Sequence, residues 1–166
     1  MKKLIRDYAV LLPVAAVIIS LDQWTKSIVR QQLEFGEVWA PWDWITPYAR
    51  FVHWRNTGVA FGLFQNQNLL FAVLSFIISL VILVFFNKLT EDIGLLKLAL
   101  SMQLGGSVGN LIDRLTIGHV TDFVSVGNFP VFNIADASIT IGVALMILGI
   151  WLEERKELRE KKLGEE

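Results

Sequence analysis

The run from residue 69 to residue 86 constrains the fold of this chain most, because it contains no charged side chain. Its ~18 residues are enough for a helix to cross the hydrocarbon core of a bilayer. Three more apolar segments, 8–29, 94–112 and 134–152, have similar lengths. Apolar residues make up 54% of the 166 positions, a high share for a soluble domain. The sequence therefore predicts one mainly α-helical membrane domain with four transmembrane helices.

The N-terminal segment can be interpreted in two ways. Basic residues precede the first apolar run, as they do in a cleaved signal peptide. However, no small-x-small cleavage site closes the run, and the helical pattern continues through residues 22–26. We therefore expect segment 8–29 to be an uncleaved first membrane helix.

Residues 30–67 differ in composition from the apolar segments on either side. They contain a cluster of aromatic side chains: Trp39, Trp42, Trp44, Tyr48 and Trp54. Clustered Trp and Tyr beside membrane spans are typical of the water–lipid boundary. Residues 51–55 have the composition of a β-strand, and a turn-rich stretch, 56–62, follows them. We predict a small cap outside the membrane that lies on the bilayer surface.

The basic residues are distributed unevenly over the two ends of the predicted bundle. Ten lie in the N-terminal segment, the connection 87–97 and the charged tail 153–166: Lys2, Lys3, Arg6, Lys88, Lys97, Arg155, Lys156, Arg159, Lys161 and Lys162. Five lie at the other end: Lys26, Arg30, Arg50, Arg55 and Arg114. The positive-inside rule then predicts that both termini are cytoplasmic, that the cap lies outside, and that the tail 153–166 is solvated in the cytoplasm.

The third predicted span contains closely spaced glycines. Gly105 and Gly109 are four positions apart, and Gly106 lies between them. Glycines at this spacing let two helix backbones approach closely in a membrane bundle. We expect them to serve helix packing.

The charge balance and the absence of cysteine exclude several classes of protein. The net charge at pH 7 is −1, so the composition does not indicate a nucleic-acid partner. Without cysteine, the chain has no thiol nucleophile, structural disulfide or thiolate metal site. The only histidines, His53 and His119, do not have the spacing of metal ligands. We expect neither a metal nor a cofactor.

Two aspartates before and at the start of the fourth span are the best candidates for chemistry. Asp122 stands among apolar residues, and Asp136 lies at the beginning of a long apolar run. A carboxylate in such surroundings loses hydration unless it is paired or used. Two such groups close together do not both ionise easily, so one keeps a proton, as an acid/base pair requires. Alternatively, each aspartate only caps a local structure, since a helix dipole would favour a negative charge at Asp136.

The predicted topology brings other polar residues to the same depth, near the outer leaflet. They lie at the outer ends of spans one and three: Asp22, Lys26, Asn110, Asp113 and Arg114. Asp22 and Lys26 are one helical turn apart, so they can form a structural ion pair or take part in the chemistry. Arg114 can pair with or orient a carboxylate, or contact a lipid phosphate. Scattered helix caps would not be expected to converge in this way.

Three asparagines, Asn56, Asn110 and Asn133, can both donate and accept hydrogen bonds. Such side chains can hold an extended peptide backbone. They can also serve only as turn residues or helix ends, and the sequence leaves both interpretations open.

Five short segments of this chain resemble, in order, the motifs of the bacterial lipoprotein signal peptidase family, also called signal peptidase II. They are Asp22-Gln23 with Lys26, the stretch 56–62 (Asn-Thr-Gly-Val-Ala-Phe-Gly), 109–114 (Gly-Asn-Leu-Ile-Asp-Arg), 119–123 (His-Val-Thr-Asp-Phe) and 132–136 (Phe-Asn-Ile-Ala-Asp). The resemblance covers nearly the whole chain. It departs at Val59, where alanine is common, and at Ala137, where serine is common. Neither position is a candidate catalytic group.

The resemblance implies an aspartic endopeptidase of the bacterial cytoplasmic (inner) membrane, with Asp122 and Asp136 as the catalytic pair at the outer leaflet side. The implied substrate is a pre-lipoprotein, cut before a cysteine that already carries a diacylglyceryl group. Residues that the resemblance assigns to substrate binding or support are Asp22, Lys26, Asn56, Gly58, Asn110, Asp113, Arg114 and Asn133. The implied fold has four membrane helices, with an extramembrane β-cradle and a surface helix between the first two. We expect a monomer whose partners are the substrate and membrane lipid.

Two other classes of protein also place carboxylates in a membrane domain. In a small ion-coupled carrier they bind protons or cations, although carriers place such groups nearer the midplane. A non-catalytic adaptor would present the aromatic cap to a partner, but it would not need two convergent aspartates.

Overall fold

Four long helices and three short strands make up the part of the chain that the computed structural model describes, residues 2–58, 63–90 and 94–164. In chain order the elements are α1 (Lys2–Gln32), β1 (Val38–Trp39), a 3-10 helix (Asp43–Ile45), β2 (Ala49–Asn56), α2 (Asn68–Thr90), α3 (Gly94–Thr116), β3 (Val120–Val126) and α4 (Ile134–Gly164). The mainly helical fold and the small sheet agree with the sequence prediction.

Among the described residues, three helices are long and apolar enough to cross a membrane: Tyr8–Gln32, Asn68–Thr90 and Ile134–Lys161. The predicted third span, 94–112, lies in α3 and is not one of them. Its position explains the low hydropathy, because α3 packs against α1, α2 and α4 and buries polar side chains such as Asn110 and Asp113. A helix surrounded by other helices does not need an apolar surface all round.

The helices extend beyond the predicted spans. In particular, α4 continues beyond residue 152 through most of the predicted tail, as an exposed helix that ends at Gly164. The mixture of Glu, Lys and Arg in this part favours a helix, since charges three and four positions apart can pair. One such pair joins Lys156 Nζ to Glu153 Oε1 at 3.4 Å.

The cap, residues 30–67, contributes β1 and β2 to a three-stranded antiparallel sheet in the order β1-β2-β3. The predicted strand 51–55 lies in β2, whereas β3 comes from the loop after α3 and was not predicted as a strand. Their register puts Trp54 opposite Asp122 and Asn56 opposite Val120. Within the described residues, the only short helix between α1 and α2 is the 3-10 helix; residues 59–62 lie outside the described ranges.

The helices pack through a small apolar core and expose an apolar outer surface. The core side chains come from α1, α2 and α3: Leu11, Ala15, Ile82, Phe86, Leu100 and Leu104. On α2, Leu69, Phe76 and Val84 are more than half exposed. Apolar side chains on all sides of a helix are expected where it faces lipid.

Gly105 and Gly106 lie at close contacts of α3 with α1 and α4, which confirms the packing role expected of them. A Cβ at Gly105 would lie 2.8 Å from Cβ of Ile18 on α1. A Cβ at Gly106 would meet the backbone oxygen of Ala135 and lie 2.7 Å from Cγ1 of Ile139, both on α4. Neither α1 nor α4 could keep its position if the glycine that faces it were replaced by a larger residue.

We predict that Gly106→Ala lowers the free energy of unfolding by about 1–3 kcal/mol, because the added methyl group overpacks the α3–α4 contact. Unfolding in detergent, followed by circular dichroism, measures the change. Gly94→Ala is the matched control, since a Cβ there meets nothing within 4 Å. Equal stability of the two variants would contradict the close-packing role of Gly106.

Candidate active site

Asp122 lies in β3 and is almost completely buried, with 1% of its surface exposed. Asn133 Nδ2 donates to Asp122 Oδ1 at 2.7 Å. Asn56 Nδ2 donates to Asp122 Oδ2 at 2.9 Å, because the pairing of β2 with β3 brings the end of β2 to this point. Both carboxylate oxygens therefore have a hydrogen-bond donor, as a buried carboxylate requires.

Asp136 lies in the first turn of α4 and forms a reciprocal capping box with Asn133. The Asp136 backbone N–H donates to Asn133 Oδ1 at 2.9 Å, and the Asn133 backbone N–H donates to Asp136 Oδ2 at 3.2 Å. Asp136 therefore does take part in capping the start of α4, as one interpretation of the sequence expected. The capping uses only one carboxylate oxygen, since Asp136 Oδ1 accepts a separate hydrogen bond from Asn110 Nδ2 at 2.8 Å.

Asn133 joins the two aspartates. Its side-chain oxygen caps Asp136, while its Nδ2 donates to Asp122 Oδ1 and, at 3.2 Å, to Asn110 Oδ1. This asparagine is completely buried. The fold thus brings Asp122 and Asp136 into one hydrogen-bonded group, which Asn56 and Asn110 complete.

Lys26 lies directly behind this group and is also completely buried. Its Nζ is 2.8 Å from Asp22 Oδ2 and 3.3 Å from Asp113 Oδ2. Nζ also donates to Asn110 Oδ1 at 2.9 Å. The Asp22–Lys26 ion pair considered from the sequence therefore forms, as part of a larger charge cluster beneath the two aspartates.

Sequence reasoning assigned no role to Arg30 or Thr121, both of which belong to the cluster. Arg30 Nη1 lies 3.4 Å from Asp113 Oδ1 and donates to Thr121 Oγ1 at 3.1 Å. Arg30 follows Lys26 by one helical turn, so the spacing Asp22, Lys26, Arg30 along one helix face could have predicted it. Nothing in the sequence indicated Thr121, because its contacts depend on the position of β3.

An open cavity of about 500 Å³ lies beside Asp136. Its polar lining includes Asn56 and Arg114, and its apolar lining includes Phe129, Val131, Ile139 and Ile141. No carboxylate among the described side chains lies within ion-pair distance of Arg114, and Asp113 pairs with Lys26 and Arg30 instead. Arg114 lies over the ring of Phe71, at 5.7 Å from the centroid.

Gly58 also lines the cavity and fixes the orientation of Asn56. The Gly58 backbone N–H donates to Asn56 Oδ1 at 3.0 Å, so Asn56 Nδ2 faces Asp122. A Cβ at Gly58 would press against the backbone oxygen of Leu63 and lie 2.7 Å from that of Phe64. Only glycine allows this close approach of the chain.

Burial of Asp122, followed by the negative charge of Asp136, raises the pKa of the Asp122 carboxyl from 3.8 to about 7. The hydrogen bonds from Asn56 and Asn133 act in the opposite direction but do not cancel the effect. At neutral pH, Asp122 is therefore near its titration midpoint and can hold a proton. The described residues contain no cluster of three or more His, Cys, Asp or Glu side chains that could hold a metal ion.

The family model described as Signal peptidase (SPase) II matches residues 14–152 of this sequence. This chain belongs to the signal peptidase II family. Every site residue described above lies inside the matched range. Membership confirms the resemblance noted in the sequence, identifies the chain as a peptidase, and decides against the carrier and adaptor alternatives.

Relatives and solved structures agree with the family. A protein named lipoprotein signal peptidase from Shouchella clausii (strain KSM-K16) is 43% identical over 150 residues, which cover 90% of this chain and 97% of the relative. A protein of the same name from Streptococcus pneumoniae (strain ATCC BAA-255 / R6) is 34% identical over 148 residues, 88% of this chain and 95% of the relative.

Two solved structures, each described as a bacterial membrane enzyme studied by the in meso method, have similar folds. The one determined at 2.3 Å resolution has a TM-score of 0.77 at 30% identity and covers 86% of this chain and 88% of its own. The one at 1.9 Å has a TM-score of 0.74 at 30% identity and covers 84% of this chain and 90% of its own. The fold is therefore that of a bacterial membrane enzyme.

We predict that Asp122 makes the protein less stable as the pH rises. The carboxyl binds its proton more tightly in the folded protein than in the unfolded chain, so the folded state holds more protons between pH 3.8 and about 7. The free energy of unfolding therefore falls as the pH rises through this window. Thermal unfolding of wild type and Asp122→Asn at about pH 5 and pH 8 tests this.

Relative to Asp122→Asn, the wild-type midpoint should be lower at the higher pH. The exposed cap residue Asp43 provides the control substitution, Asp43→Asn, which should follow wild type at both pH values. A constant difference between wild type and Asp122→Asn would contradict the raised pKa.

Proposed function

We propose that this peptidase is of the aspartic type, with Asp122 and Asp136 as its catalytic pair, and that it removes the signal peptide from lipid-modified pre-lipoproteins. The observation that carries the proposal is the single hydrogen-bonded group in which Asn133 contacts both aspartates. Two carboxyl groups in one buried site, with one of them near its titration midpoint at neutral pH, suit the activation of water.

The surroundings of the two aspartates favour different protonation states. Asp136 lies at the N-terminus of α4, where the helix dipole stabilises a negative charge, so it acts as the base. Asp122 holds the proton, because burial raises the pKa of its carboxyl to about 7. This assignment gives each carboxyl group a separate role.

The reaction then proceeds in two steps. Asp136 takes a proton from a water molecule as the water oxygen attacks the scissile carbonyl carbon, and Asp122 gives its proton to the carbonyl oxygen. A neutral tetrahedral diol forms. In the second step Asp136 gives its proton to the leaving nitrogen, the C–N bond breaks, and a diol hydroxyl returns its proton to Asp122. Both carboxyl groups thereby recover their starting states.

The cavity beside Asp136 supports a lipid-modified substrate. Its walls combine apolar side chains such as Phe129, Ile139 and Ile141 with the polar groups of Asn56 and Arg114. An extended peptide can hydrogen-bond to the polar groups while its apolar parts contact the wall and the surrounding lipid. The relatives' name, lipoprotein signal peptidase, supports the same class of substrate. The cut before the lipidated cysteine is what the family resemblance implies.

We further propose that α3 crosses the bilayer with the three more apolar helices and that the chain forms a monomeric domain in the bacterial inner membrane. Both termini are then cytoplasmic, and the site faces the outer leaflet. The absence of cysteine allows single-cysteine labelling. Lys88→Cys, in the last turn of α2 before α3, and Asn128→Cys, in the loop after β3, place labels at exposed positions on the two sides of α3. In intact spheroplasts an impermeant maleimide should label position 128 and not position 88; labelling of both would place both ends of α3 on the outside.

We predict that Asp122→Asn and Asp136→Asn each lower cleavage of a lipidated pre-lipoprotein ~10²–10⁴-fold, the usual effect of losing a catalytic acid or base. The double variant should be little slower than either single one, because the two groups act as a unit. Single-turnover rates with purified protein in detergent measure the effect. Asp43→Asn is the control and should keep the wild-type rate. A single active-site variant that keeps more than about a tenth of the rate would contradict the pair.

We also predict that the lipid on the substrate dominates binding. Each buried CH₂ contributes ~0.8 kcal/mol, so two acyl chains contribute more than most peptide contacts. The same pre-lipoprotein peptide without its diacylglyceryl group should therefore be cleaved very poorly. Measuring kcat/KM for the lipidated and the unlipidated peptide in the same detergent tests this prediction. Similar values would mean that the lipid is not recognised.

A further inference from the structure

The two carboxylates of the buried charge cluster each hold the chain just before one of the paired aspartates. Asp22 Oδ1 accepts from the backbone N–H of Ala135 at 3.0 Å, one residue before Asp136. Asp113 Oδ2 accepts from the backbone N–H of Thr121 at 3.0 Å, one residue before Asp122. The backbone position of each aspartate therefore depends on one carboxylate of the cluster.

Lys26 connects these two carboxylates. Its Nζ lies 2.8 Å from Asp22 and 3.3 Å from Asp113. An ammonium group has three hydrogens to donate, and the third is directed to Asn110 Oδ1 at 2.9 Å. Asn110 then donates through Nδ2 to Asp136 Oδ1 at 2.8 Å. All the hydrogen-bonding capacity of Lys26 is thus used on groups that hold Asp122 or Asp136.

The attraction of Lys26 for both carboxylates keeps them close together. Two buried carboxylates repel each other strongly in a medium of low dielectric constant unless a cation lies between them. Arg30 is the only other described cation paired with the cluster; of the two carboxylates it pairs with Asp113 alone, and it is 28% exposed. Gln23 Nε2 also donates to Asp22 Oδ2 at 3.2 Å and to Asp113 Oδ1 at 3.3 Å, but it carries no charge. Lys26 is therefore the charged link between the side that carries Asp22 and Ala135 and the side that carries Asp113 and Thr121.

We propose that Lys26 is a positioning residue that sets the separation between Asp122 and Asp136. It contacts neither aspartate among the described hydrogen bonds and ion pairs, and it acts through the Asp22–Ala135 and Asp113–Thr121 hydrogen bonds and through Asn110. This inference rests on the proposed aspartic mechanism. It gives α1, which carries neither aspartate of the pair, a defined part in the reaction.

The separation of two carboxyl groups has a measurable consequence. The closer they are, the more the charge of one opposes ionisation of the other, so the proton on Asp122 is held to higher pH. The charged groups that act on the pair are Lys26 and Asp22 from α1, and Arg114 from α3. A change in separation at constant net charge should therefore move the alkaline limb of the pH–rate profile.

The test is the double variant Asp22→Asn with Lys26→Met, which removes one negative and one positive charge together. The new asparagine side chain still offers an oxygen to the Ala135 N–H, and Asp113 keeps Gln23, Arg30 and Thr121. What is lost is the ammonium group with its contacts to Asp22, Asp113 and Asn110. We expect kcat to fall about 10²-fold, since a displacement of about 1 Å is enough for such a loss. KM should stay within about twofold, and the alkaline limb should move to lower pH, because the aspartates are free to separate. Loss of the Lys26 charge alone would instead raise the pKa of Asp122 and move the limb to higher pH, so a shift to higher pH would contradict the proposal.

The matched control is Lys97→Met, which removes a lysine from α3, far along the chain from the cluster. It should keep the wild-type kcat and pH profile. Thermal unfolding in detergent identifies any variant that is not folded. If the double variant cannot be purified folded, Lys26→Arg decides: it keeps the net charge, but its longer planar group cannot reproduce the three distances of Nζ. A lower kcat and a shifted alkaline limb support the proposal.

The positioning role would be overturned if the folded double variant kept the wild-type kcat and the wild-type alkaline limb. If Lys26→Arg is tested in place of the double variant, the same result in Lys26→Arg would overturn it. Failure of the proposed function looks different: wild type would not cleave the lipidated substrate, or Asp122→Asn would keep its rate. The two failures are therefore distinguishable in the same set of assays.

Discussion

The structure depends on one physical constraint: a polar group taken out of water must find all its partners inside the protein. The side chains of Asp22, Lys26, Asp113 and Asp122 are buried and that of Asp136 borders the open cavity, and each has hydrogen-bond partners inside the protein. Removing Lys26 alone would leave Asp22 without its ion-pair partner, which is strongly destabilising. The helices, the cap strand and the start of α4 therefore have little freedom to move independently of the site.

This constraint explains which parts of the site were predictable. Carboxylates beside apolar runs stand out in a sequence, so Asp122 and Asp136 were found, and Asp22 and Lys26 were found from their helical spacing. The capping box of Asn133 and Asp136 was only partly foreseen, as a helix position for Asp136. Its reciprocal geometry, and the second hydrogen bond from Asn133 to Asp122, depend on where β3 lies.

The strand β3 shows most clearly what the sequence leaves open. It lies next to β2 although α2 and α3 intervene, and no local pattern specifies a pairing over such a distance. Thr121 entered the site through that pairing, and with it the hydrogen bond from Arg30. Hydropathy was also a poor guide to α3. A helix that buries polar groups among its neighbours loses the apolar signal by which membrane spans are recognised.

The pairing of β2 with β3 also has a consequence for the biosynthesis of the protein. When β2 leaves the ribosome, its partner strand has not been synthesised, and it must wait until α2 and α3 have been made. The start of α4, which supplies Asn133 and Asp136, comes later still. Such long-range closure is intrinsically slow. The hydrogen-bonded group of the two aspartates is therefore incomplete until the last helix arrives, so on the proposed mechanism a partly inserted chain would have no proteolytic activity.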